Sequence, residues 1–253
     1  MKNMSEKIIK IIENEKIEDK SPIILEGFPD VGLVGTISLS YIIQNLNFKE
    51  IGYIDSYYFP PIVSISKECL KELIRIYNKD NIIAIFSEMP ISTRLLRPLA
   101  QSIVEWAKEK NTKLFISLGG IPEPRRIDID KPKVFLVAND PSVFKKIGID
   151  KAEILEEGYI VGLKALLLKE TRKKDIDMIS ALAQSHYNYP DPGAAVEVTS
   201  FISGLLKFKI DLKPLIESAE EVRIKMKDLM KRTETTLTSQ QKSRELELPP
   251  VYL

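Results

Sequence analysis

Ser21-Pro22-Ile23-Ile24-Leu25-Glu26-Gly27-Phe28-Pro29-Asp30-Val31-Gly32-Leu33-Val34-Gly35 decides the class of the fold. A short apolar run stops at Gly27, a glycine-bearing turn follows, and Leu33 to Leu46 then reads as one helix. A strand that hands over to a helix through such a turn is the repeating unit of an α/β protein. Ile51–Asp55, Asn81–Phe86, Lys113–Leu118 and Lys133–Ala138 are apolar at both alternating sets of positions, as expected of strands covered on two sides. The first of these leads to Tyr57-Tyr58-Phe59 and is broken by Pro60-Pro61. Leu95–Asn111 reads as a helix with Pro98 near its first turn, and Glu68–Asn78 as a shorter one. Gly158–Lys169, Asp175–His186 and Ala194–Leu206 read as three more helices, the last two joined by Tyr189-Pro190-Asp191-Pro192-Gly193. The expected architecture is an α/β domain over residues 1–208, with a mainly parallel sheet and helices on both faces.

After residue 208 the pattern changes. Leu212, Leu215, Ala219, Val222, Met226 and Leu229 recur at alternating spacings of three and four, with Asp211 as N-cap and Pro214 in the first turn. Residues 209–232 therefore read as an amphipathic helix, docked on its own domain or joining subunits. Residues 233–253 read as a flexible polar tether that ends Leu246-Glu247-Leu248-Pro249-Pro250-Val251-Tyr252-Leu253. Physically Val251-Tyr252-Leu253 is a plug: an apolar anchor, a ring with one hydroxyl, and a carboxylate that wants a lysine or a backbone nest.

Composition narrows the function classes. The 253 residues carry 37 Lys and Arg against 36 Asp and Glu, a formal net charge of +1. That balance argues against nucleic acid or an anionic membrane as the main partner. No stretch approaches the roughly 18 apolar residues of a membrane span, and the charged opening lacks a signal-peptide apolar segment. Cys69 is the sole cysteine and His186 the sole histidine, which removes internal disulfides, thiolate clusters and zinc sites built on paired histidines. The expectation is a soluble cytoplasmic protein with no metal and no cofactor.

Within the turn, Gly27, Asp30, Gly32 and Gly35 admit two readings. A glycine turn before a helix N-terminus suits a small anion, and the same glycines suit close packing of the helix on a strand or another subunit. The phosphate-loop and dinucleotide templates both fail here, because no Lys-Ser/Thr pair follows and Gly27 and Gly32 are five apart. Glu26, Glu88 and Glu123 stand at or just beyond strand ends, as a solvated set or a crowded acid–base set. Arg94, Arg97, Arg125 and Arg126 read as surface pairs or an anion site, Cys69 as a small packed side chain, and Trp106 and Phe115 as core. No Gly-x-Ser-x-Gly elbow supplies His186 with a serine. The chain thus reads as a binding protein and not an enzyme. The alternative is an enzyme or small-ligand binder, for an anion or a nucleoside, built on the Gly27–Gly35 loop.

The Pro22–Gly35 stretch resembles the opening motif of the archaeal proteasome-assembly-chaperone homologues, relatives of the second eukaryotic proteasome assembly chaperone. Ile116-Ser117-Leu118-Gly119-Gly120, Gly158-Tyr159-Ile160-Val161-Gly162-Leu163 and Tyr189–Ala195 are similar to its later motifs, so the likeness spans about residues 20 to 206. The resemblance implies a nucleoside-phosphorylase-like α/β fold, homo-oligomers (a tetramer is the expectation) and no established catalytic residues. Val251-Tyr252-Leu253 is similar to the hydrophobic-tyrosine-any tail of proteasome activators, which enters pockets between α-ring subunits of the 20S particle and opens its gate. With no ATPase signature in the sequence, activation or assembly would be ATP-independent.

Overall fold

In a computed structural model the chain is described over residues 8–17, 20–66, 68–149, 153–221 and 224. Its centre is the strand β2 (Ile23–Gly27), which leads through a 3-10 turn at Val31–Leu33 into α1 (Val34–Asn45). β2 pairs in parallel with β7 (Ile82–Ser87) on one side and with β8 (Leu114–Pro122) on the other, so that Leu25 faces Ala84 and Ile116 across the ladders. β8 pairs in parallel with β11 (Met178–Ser185). Around this parallel centre the pairing turns antiparallel, through β6 (Ile74–Lys79), β3 (Lys49–Asp55) and β1 (Lys10–Glu13) on one flank. On the other flank β9 (Val134–Ala138) pairs antiparallel with β11 and parallel with β10 (Glu153–Ile154). The nine-stranded order is β1-β3-β6-β7-β2-β8-β11-β9-β10.

Alternate side chains of the central strands feed two cores. Ile24, Ile83, Ile85, Phe115 and Met178 pack with Leu99, Ile103 and Trp106 of α2 (Thr93–Glu109) and Leu163 and Leu167 of α4 (Leu163–Lys173). Leu25, Ala84, Phe86, Ile116, Leu118 and Ile179 pack with Leu39 and Ile42 of α1 and Ala195, Val198 and Ile202 of α5 (Pro192–Leu206). Helices thus cover both faces, and both alternating sets of β2 and β8 are apolar for that reason. A short α3 (Ser142–Lys146) follows β9, and a separate hairpin of β4 (Ser64–Ser66) and β5 (Cys69–Lys71) interrupts the run from β3 to β6.

Two segments differ from the helical expectation. Glu68–Asn78 forms β5 and β6: Ile74 and Ile76 enter one core while Arg75 and Tyr77 face the other side, a period of two. Asp175–His186 contains β11, which lies between β8 and β9 and is buried on both faces. Small residues such as Ser180, Ala181 and Ala183 fill it, so no polar face marks its period. Within the expected Gly158–Lys169 helix, α4 starts only at Leu163, after Gly162 at φ +75°. α2 starts at Thr93, which puts Pro98 past the first turn.

Beyond α5 the chain is helical again over 213–221 and at 224. The Tyr41 hydroxyl of α1 donates to the Asp211 carbonyl at 2.5 Å, Leu215 is buried, and Leu212 and Ala219 are half-buried. Val222, Met226 and Leu229 lie outside the described residues, as do the tether and Val251-Tyr252-Leu253. Among the described residues no helix is long and apolar enough to cross a membrane.

Candidate functional site

The carboxyl ends of β7, β2, β8 and β11 all point to one end of the sheet, where open α/β folds gather their ligands. The Gly27–Gly35 turn crosses this end. Its glycines stand where the backbone closes on its neighbours. A Cβ on Gly27 would fall 2.5 Å from the Gly35 carbonyl oxygen, and one on Gly35 2.3 Å from the Leu118 carbonyl oxygen. Gly32 adopts φ +64°, and a Cβ there would lie 1.9 Å from Ser185 Oγ.

Asp30 is the hub of the turn. Its carboxylate accepts the Gly35 N–H at 3.2 Å and the Gly120 N–H at 2.8 Å, and pairs with Lys164 Nζ at 3.1 Å. The anion in front of these two amides, one at the start of α1 and one in β8, is therefore the chain's own side chain. Deeper in, Glu26 is wholly buried and accepts the Phe28 N–H at 3.0 Å and the Ser117 hydroxyl at 2.5 Å. Two carboxylates thus share one buried ammonium. Burial pushes the Glu26 carboxyl up, with Lys164 only partly offsetting it, and burial likewise raises Asp30 against Lys164 and the Gly120 N–H. Burial works against the Lys164 ammonium, but the Asp30 and Glu26 carboxylates together outweigh it and hold its pKa above the usual lysine value. The arrangement clamps β2, the turn, β8 and the start of α4 to one another.

A second buried pair sits beside the first. The Arg126 guanidinium donates from Nη2 to Asp191 Oδ1 at 3.0 Å and from Nη1 to the Ile129 carbonyl at 2.6 Å. Its Nε lies 2.8 Å from Asp191 Oδ2, a charge contact whose N–H does not point along it. Asp191 also accepts the His186 N–H at 3.1 Å and caps α5 by accepting the Ala194 N–H at 2.9 Å. These groups border a cavity of about 320 Å³ whose walls include Arg126, His186, Tyr189, Glu197, Ile216 and Ala219. The helix over 213–221 forms one side of it. His186 stacks on Tyr189 with ring centroids 4.2 Å apart, and burial lowers its pKa. Burial raises that of Glu197, with Lys131 the main opposing charge.

The strand-end carboxylates do not form one set. Glu26 belongs to the Lys164 cluster, Glu88 pairs with Arg75 at 2.6 Å, and Glu123 accepts the Gln184 side-chain N–H at 2.9 Å. Glu26 is buried where a solvated residue was one expectation, because Ser117 and Phe28 satisfy it. Of the four arginines Arg126 is buried, whereas Arg94, Arg97 and Arg125 are exposed. Cys69 is exposed on β5 instead of packed, and Trp106 and Phe115 are core as expected. Among the described residues no three His, Cys, Asp or Glu side chains come together as a metal site. Lys164, Ser117 and Asp191 escaped the sequence reading. The signal for Lys164 was a single charge inside the apolar run Val161–Leu168.

Comparison with known proteins gives three kinds of match. The family model described as PAC2 family matches residues 24–230. An uncharacterized protein of Methanocaldococcus jannaschii is 32% identical over 221 residues, covering 87% of this chain and 90% of that protein. The crystal structure of Pyrococcus furiosus PbaA, an archaeal homolog of proteasome-assembly chaperone, superposes with a TM-score of 0.80 at 26% identity, covering 96% of this chain and all of that one. Pyrococcus furiosus PbaB, an archaeal proteasome activator, shares the fold with a TM-score of 0.77 at 24% identity, over 88% of this chain and 99% of PbaB.

Proposed function

The chain belongs to the PAC2 family, and from that premise we propose that it is an ATP-independent, homo-oligomeric proteasome-binding protein of the cytoplasm, an activator or assembly chaperone of the 20S core particle. The observation that carries this reading is the match along nearly the full length of both chains to an archaeal homolog of a proteasome-assembly chaperone. The site chemistry supports it. Glu26, Asp30 and Lys164 at this end of the sheet are spent on one another and on the backbone, which suits a body that acts as a scaffold. The alternative anion or nucleoside site on the Gly27–Gly35 loop meets the Gly35 amide, and beside it the Gly120 amide of β8, both already donated to Asp30.

Contact with the partner falls to Val251-Tyr252-Leu253, which engages pockets between α-ring subunits through an apolar anchor, a tyrosine ring and the terminal carboxylate. About 20 tether residues have an r.m.s. reach of roughly 25 Å. Several such ends on one oligomer raise each other's effective concentration, so each contact can be weak. The test is a pull-down with purified 20S particles, full chain against a chain lacking residues 251–253 and against Tyr252→Ala. Loss of capture in both variants, with unchanged melting curves, is expected. Capture and peptide-hydrolysis stimulation equal to the full chain would overturn the assignment of the plug.

A further inference from the structure

We propose that the β4–β5 hairpin, through its open apolar face and outer edge together, is a self-association surface for the same hairpin of a second copy of this chain. The inference rests on the homo-oligomeric part of the reading above and gives it a place on the molecule. The hairpin lacks what a hairpin needs to stand alone. Its strands are three residues long, and a two-stranded sheet with no apolar face covered is marginal in water. Its apolar face is open: Ile65 and Leu70 are direct cross-strand partners, and each is 72% exposed. The approach to it carries Tyr57 and Tyr58, packed edge to face at 5.6 Å, and then Ile62 and Val63, all four exposed. On its other side a groove of about 800 Å³ separates the hairpin from α1 and the sheet, so the chain's own body does not stabilise it fully.

Three features favour a second copy as the occupant. Among the described residues the hairpin forms its own two-stranded sheet, so each strand has one outer edge unpaired, a ready template for another strand. Antiparallel pairing of one such edge with itself satisfies a two-fold axis, which requires each patch to meet its own copy. A two-fold contact also sets the whole patch against its own copy, so it suits a patch with little net charge. The sequence from Lys67 to Glu72 carries two lysines and two glutamates, and with Glu50, which pairs with Lys71 at 2.7 Å, the charges sum to within one of neutral. A strongly acidic or basic partner would gain nothing here.

Sedimentation velocity of the full chain over a concentration series tests this, with Ile65→Lys and Leu70→Glu as interface variants and Tyr159→Lys as a control on another exposed loop. The expected result is an oligomer in the wild type and in the control, and dissociation constants raised about 100-fold or more in both hairpin variants. As a second readout on the unmodified protein, the Cys69 thiol should react at least about tenfold more slowly with a thiol reagent at concentrations where the oligomer forms. Unaltered association of the variants would overturn the placement, and a monomeric wild type would overturn self-association itself. Intact oligomers that lose 20S capture would assign the hairpin to the proteasome instead. Failure of wild-type 20S capture alone would overturn the proteasome reading while leaving the sedimentation result standing.

Discussion

The Lys164 cluster and the β4–β5 hairpin enter the fold at the same end of the sheet with their polarities exchanged. In the cluster, three ionisable side chains lie where apolar ones are usual, and each has its partners inside the chain. In the hairpin, large apolar side chains lie where charge is usual, and among the described residues they stay mostly exposed. The difference separates holding from meeting. Buried polar groups that are hydrogen-bonded within the chain fix the turn, α4 and the strand ends relative to one another, whereas exposed apolar surface stays available to another molecule.

Substitutions should divide along the same line. The largest effect is expected for Lys164→Met, which strands two buried carboxylates and should cost about 3 to 5 kcal/mol in urea unfolding. A loss under about 1 kcal/mol would mean that the carboxylates relax toward water or simply take up protons. A smaller effect should appear as a pH slope. Glu26 holds its proton more firmly folded than unfolded, so its contribution to stability is greatest below its ordinary pKa near 4.5 and falls as pH rises through the raised folded value. Lys164 acts in the alkaline range: its contribution is present below 10.5 and is lost as pH climbs through its own raised value. Glu26→Gln should flatten the acid-to-neutral slope of the unfolding midpoint, and an identical slope in the variant would remove Glu26 as its source. The smallest stability change, within about 0.5 kcal/mol, is expected for Leu70→Glu in dilute solution, because that side chain is solvated there. A loss above about 2 kcal/mol at concentrations where the protein is monomeric would show that the hairpin is structural, and the contrast would fail.

Much of the framework was legible in the amino-acid order, and the reason is local. β2, β7, β8 and β9 are apolar runs stopped by glycine, proline or polar turns, and α1, α2 and α5 are long enough for their period to show. β11 was not legible, because burial on both faces and small side chains erase the alternation that distinguishes a strand from a helix. The antiparallel flanks were beyond reach too, since strand order is decided by pairings between distant segments. For the site, the glycines and Asp30 stood out in one continuous stretch. Their partner Lys164 and the Arg126–Asp191 pair did not, because they meet only once the sheet has formed; the latter two are 65 residues apart. A lone lysine in an apolar helix was the single hint, and its meaning depends on carboxylates that the linear order does not place nearby.

The fixing of Asp211 to Tyr41 has a geometric corollary. With Leu215 also buried, the helix over 213–221 is seated on the body beside α1 and α5. In any symmetric assembly the distances between those helices are then dictated by how the bodies are arranged, whatever the length of chain beyond them. Altering the body-to-body contact would therefore change the spacing of those helices without touching a residue of the helix itself.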